Sequence, residues 1–216
     1  MLDNQLYFEV LVTIEERQLS LKISTLDILY RNNETFNNNL LKSEQVQNEI
    51  ADLQKFGIQQ IPSERFNDVS SSALDYTILS HETQELLSHY MIVATFSFYE
   101  KTLKKLLYYS NKLNEKELKS CFKNEQLIKI LNEKFAVDYT KMIDFPQIEE
   151  LRCLNNTIKH QGIVSSELET SNNKWILDTE IKQTYEDYIR LKDSPLNMIK
   201  ELRPLITLQV NFDTDT

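Results

Sequence analysis

Residues 149–162 read E-E-L-R-C-L-N-N-T-I-K-H-Q-G. At the 100° per residue of an α-helix, Glu149, Arg152, Asn156, Lys159 and His160 fall within roughly a third of the circumference. Leu151, Leu154 and Ile158 share the opposite side. The spacing therefore predicts an amphipathic helix, with one face for a core and one for chemistry. A helix face that only meets water usually interleaves Glu and Lys. An Arg, a Lys and a His on one strip make instead a cationic, proton-exchanging surface that suits a phosphodiester. Pro146 belongs to the first turn, where its missing N–H costs nothing. Glu149 and Glu150 are expected in that turn too, complementing the helix dipole, and Gly162 is expected to end the helix.

Working outward, the composition agrees with a helical frame. The 216 residues include only two Gly and four Pro. β-Sandwiches and nucleotide-binding α/β folds need glycine at turns and phosphate loops. Its scarcity, with runs of Leu, Lys, Glu and Gln, points to an all-α protein. The length suffices for one domain with a real core, or one domain and an extra lobe. The net charge of -9 opposes an extended non-specific grip on nucleic acid but permits a small basic site. Cys121 and Cys153 are far apart in sequence, so neither a zinc site nor a disulfide framework is implied. Neither Gly-x-Gly-x-x-Gly nor Gly-x4-Gly-Lys occurs, which argues against Rossmann and P-loop enzymes. His81, Glu85 and His89 recur at i, i+4 and i+8, but the two histidines are two turns apart, too far to share one ion. No metal and no cofactor are expected. The N-terminus lacks a basic-then-apolar leader and no apolar run approaches ~20 residues, so a cytoplasmic protein without a membrane span is expected.

Along the chain, residues 5–31 read as one long helix and the Asn-rich run 32–39 as a loop. Residues 40–56 read as a second helix, ended by Gly57 and Pro62, and 58–73 as a Ser-rich linker. The segment 74–109 is helical and strongly apolar. Within it Phe96, Phe98, Tyr99, Tyr108 and Tyr109 suit core or dimer contacts better than base stacking. Two short helices, 114–121 and 124–134, precede the motif helix. A polar loop over 163–175 and closing helices at 178–192 and 195–208 follow it. The expected organisation is a helical extension and linker over 1–73, an antiparallel bundle over 74–210 and an acidic tail over 211–216.

Two segments together resemble the HEPN superfamily, helical-bundle proteins that include many ribonucleases of defence and toxin systems. The first is M-I-V-A-T-F-S-F-Y-E-K-T-L-K-K-L-L, residues 91–107, similar to the family's early core helix. The second is L-R-C-L-N-N-T-I-K-H-Q-G, residues 151–162, similar to its signature helix. The resemblance covers roughly 80–205 and implies a HEPN-like antiparallel bundle with an added N-terminal helical segment. It departs from the family in one respect: Arg152 and His160 are separated by seven residues, where the signature has four to six. The position two after the His, a modified Tyr in some members, is Gly162 here.

The resemblance implies metal-independent RNA cleavage at a composite site across a homodimer. His160 would act as general acid or base, and Arg152 with Asn156 would complete the catalytic set. Lys159 and Asn155 would bind the substrate, and Glu100 on the facing helix would orient Arg152. An antitoxin or another regulatory protein is an expected partner beside RNA, and a membrane is not. The second reading is a catalytically silent HEPN-like module that binds RNA, a nucleotide or a protein. The third is an unrelated helical bundle with a structural role. The first two differ in whether Arg152 and His160 converge in one cleft.

Overall fold

A long helical hairpin organises the molecule. The computed structural model describes residues 4–41, 63–121, 123–160, 162–182 and 184–207. Helix α1 spans Asn4–Leu41 and α2 spans Ser63–Tyr109. Along α1, Phe8, Val12, Leu19, Ile23, Leu26 and Tyr30 are buried at steps of three, four and seven, which makes one apolar stripe. That stripe packs on α2 and on the last helix, α8 (Ser194–Thr207). From α2, Met91, Ile92, Tyr99, Leu103, Leu106 and Leu107 enter the core. From α8, Met198, Ile199, Leu202 and Ile206 do so without exposure. Short helices α3 (Glu115–Ser120) and α4 (Asn124–Phe135) follow α2, and a single 3-10 turn at Tyr139–Lys141 leads into the next helix.

The motif helix is α5, Phe145–His160. It packs on α2, with Leu151 and Leu154 fully buried. Pro146 is its second residue. Gly162 takes a φ of 68° and its N–H donates to the Thr157 carbonyl at 2.9 Å, so the helix closes through a left-handed glycine. Glu149 and Glu150 fall one turn further in than expected, because the helix begins at Phe145.

The chain then forms α6 (Ser166–Ser171), α7 (Tyr185–Leu191) and α8. Among the described residues the sole extended pairing is one antiparallel bridge between Ile163 and Glu180. The architecture is all-α.

Four expectations need correction. The loop expected at 32–39 is helical and continues α1 to Leu41. The described part of the expected linker, 63–73, belongs to α2. In both cases the cue was polarity, and polarity does not break a helix. Asn, Ser and Thr cost at most about 0.7 kcal/mol each relative to Ala, and neither stretch contains Gly or Pro. The expected loop at 163–175 contains α6, whose Ser165 side chain accepts the Leu168 N–H at 3.3 Å. The helix expected from 178 starts only at Tyr185, because the Val164 N–H first donates to the Thr179 carbonyl and the Ile181 N–H to the Gly162 carbonyl, each at 2.8 Å. Most of the helix expected at 40–56 lies outside the described residues, as does the acidic tail.

Candidate functional site

A cavity of about 180 Å³ lies between α2 and α5. Its apolar wall comes from Phe96, Leu103 and Leu107 of α2, Leu127 of α4 and Ile148 of α5. Tyr99 and Tyr139 line it as well. Their hydroxyls share a 2.5 Å hydrogen bond, and burial holds both phenols above their ordinary titration range. The polar lining is Glu100 and Lys104 from α2, Asn124 from α4, and Glu149, Arg152, Asn155, Asn156 and Lys159 from α5. Burial moves the Lys104 ammonium down from its usual value, against the pull of Glu100.

Five of the residues singled out from sequence, Glu100, Arg152, Asn155, Asn156 and Lys159, thus meet in one cavity. His160 does not line it and is exposed as the last residue of α5. The helical wheel explains the separation. The cavity is centred between Asn155 and Asn156 on the helix circumference, and His160 lies a quarter-turn or more from that direction.

Arg152 is tightly engaged. Its Nε donates to both Glu149 oxygens at 3.1 and 3.0 Å, and its Nη2 reaches Glu149 Oε1 at 2.6 Å and Glu167 Oε2 at 3.2 Å. The Glu149 hydrogen bonds raise the guanidinium above its already high ordinary value. Asn124 of α4 holds Glu149 in turn, at 3.0 Å. The orienting role expected of Glu100 therefore falls to Glu149 and Glu167. Arg152 also approaches Cys153 Sγ at 3.4 Å. Burial nevertheless pushes that thiol up to about 12, so Cys153 fills space and is no nucleophile.

Asn155 is the unusual member. It is 3 % exposed, and its Nδ2 donates to Asn156 Oδ1 at 3.1 Å. Its own Oδ1 is buried with no partner among the described residues. Leaving such an acceptor unpaired costs about 1–3 kcal/mol. A leucine would fill the position without that cost. Lys159, one turn on, is exposed and makes no ion pair with a described residue. The cavity thus offers an unpaired amide oxygen inside and an uncommitted ammonium at its edge.

Sequence reasoning missed a second cluster, around Glu150. This carboxylate is 3 % exposed. It accepts from Arg190 Nη1 and Nη2 at 2.8 and 2.6 Å, Trp175 Nε1 at 2.8 Å and Asn172 Nδ2 at 3.0 Å. Burial alone would push the carboxyl up. The hydrogen bonds from Arg190, Asn172 and Trp175 outweigh that, so it titrates below its ordinary range. Arg190 also pairs with buried Asp187, which Lys174 contacts from the other side. The cluster locks α5 to α7 and to the segment carrying the sole Trp. The signal was in the wheel: Glu150 lies on the side of Leu154, not on the polar strip.

Among the described residues no group of three His, Cys, Asp or Glu is placed to hold a metal ion, and no helix is long and apolar enough to cross a membrane. His81 and Glu85 border a separate cavity beside Tyr30 and Tyr185, whose rings stack at 3.6 Å. No family model matches the chain, and neither the curated proteins nor the solved structures contain a match.

Proposed function

We propose that the chain is a HEPN-like module that binds a nucleotide unit of RNA in the cavity between α2 and α5. The packing of an aromatic-to-leucine helix against the Arg-Asn-Lys helix supports the HEPN-like reading of the bundle. The single observation that carries the function is the unpartnered, buried Oδ1 of Asn155 within a cavity edged by Lys159 and Arg152. A ribose hydroxyl or an exocyclic amine would supply the missing donor. Lys159 would meet the phosphate, and Arg152, already paired with two carboxylates, would contribute only the donor capacity they leave. That commitment of Arg152, with His160 outside the cavity, favours binding over chemistry.

The test is binding of a short fluorescent RNA and of nucleoside monophosphates in EDTA at low salt. Asn155→Leu is expected to keep the fold and weaken binding about tenfold or more, the worth of one buried hydrogen bond with its partner left unpaired. Lys159→Ala is expected to weaken binding and reduce its salt dependence. Equal binding by Asn155→Leu would sink the assignment.

A second reading, metal-independent RNA cleavage, is favoured by one feature: Lys159 and His160 are exposed together at the end of α5, where a second molecule can reach them. His160 would take the 2′-hydroxyl proton as that oxygen attacks the phosphorus. The leaving 5′-oxygen would take a proton from the imidazolium of a second copy, and a 2′,3′-cyclic phosphate would remain. Cleavage in EDTA by the wild type and its loss in His160→Ala would move the conclusion to this reading.

A further inference from the structure

Helix α1 carries two apolar stripes, and the described residues bury one. The buried stripe faces α2 and α8. On the opposite side, Leu6, Tyr7, Ile14, Leu21, Ile28 and Leu29 are between 44 and 68 % exposed. Tyr7, Ile14, Leu21 and Ile28 repeat every seven residues, the period of a helix seam that meets another helix. Arg17 is the one charged residue on that outward side. Of the acidic residues of α1, Glu9 and Glu16 at its flank pair with Arg203, Asp27 pairs with Lys192, and Glu15 on the buried side pairs with Lys105. A solvated helix face carries charges throughout; this one keeps its acidic residues off the seam and holds Arg17 alone within it.

We propose that α1 is a dimerisation helix and that its outward seam pairs antiparallel with the same seam of a second copy of this chain. The seam largely complements itself. Around a two-fold axis between Arg17 and Gln18, Leu6 of one copy opposes Leu29 of the other, Tyr7 opposes Ile28 and Ile14 opposes Leu21, so these six apolar residues meet one another; Val10, also exposed on this side, opposes Thr25, and Phe36 lies beyond the paired stretch. Arg17 meets Gln18, whose amide oxygen accepts from a guanidinium. A continuous apolar seam along an exposed helix marks an interaction surface. The seam faces away from α2 and α8. The cavity between α2 and α5 therefore stays open in the dimer, and the inference stands whether or not that cavity binds a nucleotide.

The experiment is sedimentation equilibrium of the full chain beside the double variant Ile14→Lys/Leu21→Lys, with circular dichroism and thermal melts of both. The wild type is expected at twice the 25.5 kDa of one chain. The variant is expected at one chain mass with an unchanged spectrum, because both positions are exposed. Its nucleotide or RNA binding is expected to match the wild type, which separates this inference from the cavity reading. The register has its own test. Ile14→Cys/Leu21→Cys is expected to cross-link under mild oxidation, while Leu21→Cys alone is not, because like positions lie about 10 Å apart along an antiparallel pair. Native Cys121 and Cys153 are buried and will not compete. A monomeric wild type, or a dimer that survives the lysines, overturns the proposal. A monomer that binds another protein or lipid vesicles through this seam overturns it too. Cross-linking by Leu21→Cys alone overturns the antiparallel register.

Discussion

Replacing Glu150 by Gln separates the structural half of α5 from its binding half. The substitution keeps volume and removes the charge that Arg190, Trp175 and Asn172 share. Trp175 is 8 % exposed, so its N–H has little access to water. An unpaired donor there costs about 1–3 kcal/mol. Losing one partner of a buried ion pair costs about 3–5 kcal/mol, but the Arg190 side chain is 40 % exposed and recovers part of that by hydration. The expected loss is about 3 kcal/mol at neutral pH. For a chain of this size that lowers Tm by about 6–12 °C. Arg152→Ala, by contrast, removes a partly buried ion pair, 22 and 26 % exposed, at the cavity edge and should cost about 1–2 kcal/mol. Urea melts followed by circular dichroism measure both. A Glu150→Gln variant within about 0.5 kcal/mol of the wild type would refute the claim that this carboxylate is a buried anchor.

Two further outcomes follow from the same geometry. Burial lowers His89 below its ordinary imidazole value against the opposing pull of Glu85 and Glu180, and the hydrogen bonds on Glu150 lower that carboxyl despite its burial. For both groups the unfolded chain binds protons more readily, so their stabilisation is full above the unfolded pKa and is lost as pH falls. Melting temperature should therefore decline below about pH 6.5, from His89, and more steeply below about pH 4.5, from Glu150; a flat profile over that window would contradict the assignment. The Cys153 thiol, held neutral by burial, should resist aromatic disulfide reagents at pH 8 in the folded protein and react only on unfolding, which a time course of absorbance reports.

Much of the frame is legible in one dimension because helical periodicity is a local property. The 3.6-residue spacing of Leu151, Leu154 and Ile158, with Pro146 before and Gly162 after, places α5 almost to the residue. The apolar steps of α1 and the two short helices after α2 follow from the same rule. The cationic strip also brings Arg152, Asn156 and Lys159 to one wall without knowledge of any partner. Helix ends at 32–39 and 63–73 were not legible from polarity, since nothing there breaks a helix and propensity differences of a few tenths of a kcal/mol are easily overridden. Only the tertiary structure decided what each polar group meets. It turns the cavity toward Asn155 and leaves His160 outside, joins Arg152 to Glu167 fifteen residues later, and buries Glu150 under Trp175 and Arg190. The reason is range: a helix wheel follows from neighbours three and four residues apart, whereas a buried charge is satisfied by whichever distant group packing brings within 3 Å.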